Sequence, residues 1–212
     1  MKKKKIIIVA IIALLVIIGI VVGIILLTGK EKNYETSKLT DIYNDLIASN
    51  IYSFSITQND ENKTIMAKNG EQTAIDQYLG DTHSTTIVKD GNRQLVLHDR
   101  SEYYVYENNN VEQSILTDGM KELMNKTFTI GEEEVNGKKY SYEEFDGSST
   151  FMLSNNLPLN QEGVKTRLYF NKKSELVYIK TTYDDNEELL GVSISKDVDN
   201  SLFEIPADYA EN

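Results

Sequence analysis

The sequence predicts an α+β protein: a strongly curved antiparallel sheet, a half-barrel of about eleven or twelve strands with helices on its concave face, preceded by one transmembrane helix. Three observations carry this. From Ile51 onward, apolar and polar residues alternate with a period of two through most of the chain. Turn dipeptides interrupt the alternation at short intervals, among them Asn69-Gly70, Gly80-Asp81, Asp90-Gly91, Asn136-Gly137 and Asp146-Gly147. Ahead of both stands an unbroken apolar run, Ile6–Leu27, opened by Lys2, Lys3, Lys4 and Lys5.

At about 1.5 Å per residue, that run is long enough to cross a bilayer core of about 30 Å as a helix. It exceeds the apolar region of a cleaved signal peptide and exits through Leu27-Thr28-Gly29-Lys30, which is no small-residue cleavage site. The expectation is a cytoplasmic basic tail (1–5), a signal anchor (6–28), a short linker (29–33) and an extracytoplasmic domain (34–212) at a bacterial cell membrane. Gly19 and Gly23 form a G-x-x-x-G spacing that could pair two such helices as a homodimer.

Composition excludes several functions. The 212 residues include no cysteine, so disulfides, zinc–thiolate sites and thiol catalysis are absent. The net charge is −11 and becomes more acidic still once Lys2–Lys5 are set aside, which repels nucleic-acid backbones. Tryptophan is missing, but the 13 tyrosines fall largely in strand-like runs.

Taken in order, Leu39, Ile42, Tyr43, Leu46 and Ile47 form the stripe of an amphipathic helix over 34–49. Tyr52, Phe54 and Ile56 open a meander of about six strands that ends at Tyr103-Tyr104-Val105-Tyr106. Ile115, Leu116, Met120, Leu123 and Met124 predict a second helix, weakened by Gly119. A second meander follows, with a strand at Phe151-Met152-Leu153, a loop over 154–163, and strands over 164–170, 176–183 and 189–195. Pro206 is expected to end ladder pairing.

No catalytic residue, metal set or cofactor loop is legible in this pattern. His83 and His98 sit in strands without a serine, carboxylate or further histidine at catalytic spacing, and read as partly exposed strand residues. The clusters Glu132–Glu134, Asp184-Asp185 with Glu187-Glu188, and Asp197 with Asp199 lack the spacing of a calcium loop and read as solvated turns. The apolar pattern says more. Phe54, Ile56, Leu95, Leu97, Tyr104, Tyr106, Leu168, Phe170, Val177 and Ile179 share strand phase, and Met120 and Met124 face them from the helix. Two short helices cover only part of so long a face. Either an apolar ligand cavity remains, lined by these twelve residues, or helices and loop fill it.

The layout resembles the LolA/LolB-like lipoprotein carrier superfamily over about residues 34–209. The resemblance rests on Val88-Lys89-Asp90-Gly91 leading to Tyr103–Tyr106, on Arg167-Leu168-Tyr169-Phe170-Asn171 followed by Leu176-Val177-Tyr178-Ile179, and on Val198–Pro206 as the closing segment. It implies an unclosed barrel lidded by helices that binds a lipid, or the acyl chain of a lipoprotein, without catalysis. The superfamily also holds sensor domains, which implies the alternative of a partner-binding envelope module with a filled core.

Overall fold

The computed structural model describes residues 36–107, 115–147 and 163–212. Helix α1 (Lys38–Ser49) begins where Ser37 accepts the Leu39 amide at 3.0 Å, and ends at Asn50, which is left-handed and returns its N–H to Leu46. A second cap comes from far away in sequence. Glu143 accepts the Lys38 amide at 2.8 Å and the Ser37 hydroxyl, so a buried carboxylate meets the positive end of the helix. Leu39 and Leu46 point inward as the stripe requires, whereas Ile47, expected on the same stripe, is 50% exposed.

Six strands follow: β1 (Ile51–Thr57), β2 (Asn62–Asn69), β3 (Gln72–Leu79), β4 (Thr82–Lys89), β5 (Asn92–Leu97) and β6 (Glu102–Glu107). After helix α2 (Ile115–Met124) come β7 (Phe128–Val135), β8 (Lys138–Asp146), β9 (Lys165–Phe170), β10 (Leu176–Tyr183) and β11 (Asn186–Ser195), then a 3-10 turn (Asn200–Phe203) and β12 (Ala210–Glu211). The tight hairpins follow their turn chemistry. Asp90-Gly91 and Asn136-Gly137 both hold positive φ at both positions, as a primed two-residue turn demands.

All twelve strands form one sheet in the order β12-β6-β5-β4-β3-β2-β1-β11-β10-β9-β8-β7. The two meanders join where β1 pairs with β11, Phe54 opposite Ile194 and Ile56 opposite Val192. Period-two register then gives the sheet two distinct faces. On the first, Phe54, Ile56, Met66, Phe145, Leu168, Phe170, Ile179 and Leu190 pack against Leu39 and Leu46 of α1 and Met120 and Leu123 of α2. Each fully buried large side chain here contributes about 1.5–3 kcal/mol. On the second face, Phe203 packs on Ala67 and Ala74, whose small side chains let the C-terminal segment approach closely.

Several expectations are corrected. Among the described residues the fold is not an α+β half-barrel with a helical lid but one large open sheet of twelve strands with two helices. Two helices are too few to roof twelve strands: the core packed under them runs from β2 through β1, β11, β10 and β9 to β8, and leaves β4–β6 without a helical cover on that face. Pro206 does not end pairing. The chain returns, and β12 adds to β6 in parallel, with the Ala210 amide on the Ser101 carbonyl at 3.0 Å. Among the described residues no helix is long and apolar enough to cross a membrane. The run Ile6–Leu27, with Gly19 and Gly23, lies outside the described residues, as does the strand expected at 151–153. The single-pass anchor, the cell-membrane placement and the membrane-tethered carrier therefore stand corrected, since no described element supports them.

Candidate functional site

A cleft of about 400 Å³ opens where α1 leaves the sheet over β10 and β11. Its apolar lining comes from Ile42 and Leu46 of the helix, Leu176 and Val177 of β10, and Val192 and Ile194 of β11. The β9–β10 ladder shifts register between Leu176 and Tyr178. That irregularity brings two successive apolar side chains, Leu176 and Val177, to the cleft where a regular strand would turn one away. The rim is polar: Ser174 and Glu175 stand on one side, and Asp45 pairs with Lys196 at 2.7 Å on the other. Both partners of that pair are more than half exposed.

The twelve residues expected to line a cavity divide into three groups. Phe54, Ile56, Met120, Leu168, Phe170 and Ile179 are sealed in the core, with Met124 packed on its margin. Val177 reaches the cleft. Leu95, Leu97, Tyr104 and Tyr106 lie on the same face by register, Leu95 opposite Tyr104, but outside the core. Tyr106 is 41% exposed, with the Arg93 guanidinium 5.2 Å from its ring centre. The phase was therefore right, but it did not separate core from surface. Ile42, Leu46, Val192 and Ile194 were not among the residues expected at a site. Their signal was adjacency to the β1–β11 seam, which no local pattern reveals.

The second face carries two polar clusters. In the first, Asp76 of β3, His83 and Thr85 of β4, and His98 just past β5 converge. The Asp76 Oδ1 atom lies 2.8 Å from His83 Nε2 and accepts the Thr85 hydroxyl at 2.6 Å. Thr85 Oγ1 is 2.7 Å from His98 Nε2, and His98 Nδ1 is 3.1 Å from the Tyr209 hydroxyl. The rings of Tyr78, His83 and His98 stack in a ladder with centroids 4.0 and 3.8 Å apart. Loss of water and the neighbouring His83 hold His98 below the ordinary histidine pKa, against an upward pull from Asp76 and Asp99.

The second cluster is built of permanent charges. The Arg167 guanidinium bonds Glu144 through Nε and Glu133 through Nη1 at 2.7 Å, and lies over the Tyr142 ring at 4.7 Å. Glu133 also accepts the buried Tyr169 hydroxyl at 2.7 Å and meets Lys180 at 3.4 Å. The Tyr169 bond, with help from Arg167 and Lys180, holds the Glu133 carboxyl below its usual range despite burial. Burial pushes Glu144 upward, but its bonds to Arg167 and Lys165 outweigh it and leave that carboxyl low as well.

No family model matches the chain, and no curated protein matches it. Among solved structures, an uncharacterized conserved protein from Thermus thermophilus is similar at 8% identity and a TM-score of 0.44, over 82% of this chain and 96% of that one. A likeness this slight carries no functional argument.

Proposed function

We propose that this protein is a non-catalytic binding protein that holds a small lipid-type amphiphile. The acyl part lies in the cleft between α1 and β10–β11, and the polar end sits at Lys196. The observation that carries this reading is the cleft itself: about 400 Å³, lined by six apolar residues together with serines and the charged Asp45, Glu175 and Lys196. Ligand sites usually measure about 300–1,000 Å³ and combine apolar walls with a few placed polar groups. The Lys196–Asp45 pair is exposed. Such pairs contribute about 0–1 kcal/mol, so an anionic head group can take Lys196 at little cost. The layout resemblance stated above points to the same class of ligand.

A displacement titration with a fluorescent fatty acid tests this on the full-length chain. Val192→Glu and Ile194→Glu are expected to weaken binding at least about tenfold, because each places a carboxylate against the acyl chain. Undiminished binding in both variants would sink the cleft assignment. A second reading rests on Leu95, Leu97, Tyr104 and Tyr106, a half-exposed stripe of the kind that protein partners cover. If Leu97→Glu and Tyr106→Glu abolish binding while the cleft variants do not, the stripe is the site.

A further inference from the structure

We propose that Asp76, His83 and His98 form a site for one divalent transition-metal ion of the zinc class, on the sheet face opposite the amphiphile cleft. Three neighbouring strands deliver the donors, and hairpin register places them. Tyr78 stands opposite His83, Asp76 opposite Thr85, and the His98 amide bonds the His83 carbonyl at 3.1 Å. The carboxylate oxygen and the ring nitrogens all lie within 4.8 Å of one another. A four-coordinate ion with bonds of about 2.0–2.1 Å needs its donors roughly 3.3 Å apart with their lone pairs converging, so the two imidazoles, stacked with centroids 3.8 Å apart, swing out of that stack to bind it. Two imidazoles and one carboxylate suit zinc, cobalt, nickel or copper, whereas calcium and magnesium want oxygen ligands.

Two of the three ligands have a hydrogen-bond partner that can stay in place around an ion: Thr85 on Asp76 and Tyr209 on His98 Nδ1. Thr85 has one hydroxyl proton, and the Asp76 carboxylate can only accept it. Thr85 oxygen must therefore accept from His98 Nε2, which leaves His98 Nδ1 to accept from Tyr209. To bind an ion through Nε2, each histidine must carry its remaining proton on Nδ1. Tyr209 accommodates this at His98. Its hydroxyl oxygen is 3.1 Å from His98 Nδ1 and 3.5 Å from the His98 carbonyl, so it accepts from the new Nδ1–H and turns its own proton to the carbonyl. Thr85 stays on Asp76 and orients it. Ligands held by outer partners in this way are the usual design of a protein metal site. Asp76 is 5% and His83 29% exposed, so the site is reachable from one side and leaves a position open to water or another ligand. The net charge of −11 favours a cation throughout.

Calorimetric titration of the untagged, chelator-stripped, full-length chain with zinc chloride tests the proposal. One ion per chain is expected, with no saturable heat from calcium or magnesium. Tyr209→Phe keeps all three donors and should weaken zinc at least about tenfold through the lost outer contact, with the circular dichroism unchanged. His83→Ala with His98→Ala should abolish binding. Cobalt provides a readout that needs no variant: the wild-type complex should show the intense visible bands of four- or five-coordinate ligation. No saturable zinc binding, zinc binding that survives loss of both histidines, or only weak octahedral cobalt bands would each overturn the site. Fatty-acid binding should not change with zinc, which separates this test from that of the cleft.

Discussion

The two polar clusters on the second face differ in what holds them. Around Arg167, permanent charges face one another: a guanidinium and an ammonium meet two carboxylates, and a buried phenol completes the set. Around His83 and His98, one carboxylate meets groups that are neutral or change charge, under the C-terminal Tyr209. The first arrangement is complete without any ligand and ties β7, β8, β9 and β10 together. The second leaves lone pairs that a tautomer shift can turn to an ion. Equal polarity thus hides different roles: saturated opposite charges brace a sheet, and clustered imidazoles offer ligation.

Removing the brace should have the largest effect. Arg167→Ala strands Glu133 and Glu144 without their shared partner and is expected to cost about 2–3 kcal/mol, below the range for fully buried pairs because Arg167 retains partial exposure. Urea denaturation at neutral pH measures it. Acid should act on the same cluster. Both carboxyls have folded pKa values below their unfolded ones, so their stabilisation is full above the unfolded value near 4.5. It is lost as pH falls through the folded values, where the unfolded chain binds more protons. Melting temperatures should therefore drop below about pH 4.5 in the native chain, and the drop should be shallower in Arg167→Ala.

A smaller effect is expected at Gly131. The Tyr142 ring lies directly over this residue, beneath Arg167, and a Cβ there would collide with it. Gly131→Ala should cost about 1–2 kcal/mol by displacing the ring from the guanidinium. Least of all, Thr85→Val removes the hydroxyl between Asp76 and His98, for about 1 kcal/mol in a thermal melt. If Thr85→Val proved costlier than Arg167→Ala, the histidine cluster would be the brace and the comparison would invert.

Much of the local structure was legible. The stripe from Leu39 to Leu46 marks α1, and Asn-Gly and Asp-Gly pairs mark the hairpins. The histidine ladder was not read from the sequence, because linear spacing finds no partner for either histidine; only pairing counted back from the turns at Gly80-Asp81 and Gly91 brings Tyr78, His83 and His98 side by side. Tyr209 was not legible, because the C-terminal segment crosses the sheet before β12 joins β6. The apolar phase of Phe54, Leu97 and Tyr106 was legible, but the same phase serves core, cleft and open surface.

By itself, then, the sequence determined the eleven antiparallel strands, most of their turns, the helices α1 and α2, and the phase of the strand faces. Those properties follow from backbone sterics and from periodicity within a few residues. Only the tertiary structure decided that β1 meets β11, that two helices cover the sheet from β2 through β1 and β11 to β8 and leave β4–β6 open, and that the cleft lies beside that seam. It also decided that Glu143 caps a helix more than a hundred residues away. Such choices compare the free energies of whole packings, and contacts between distant segments leave no trace in local pattern.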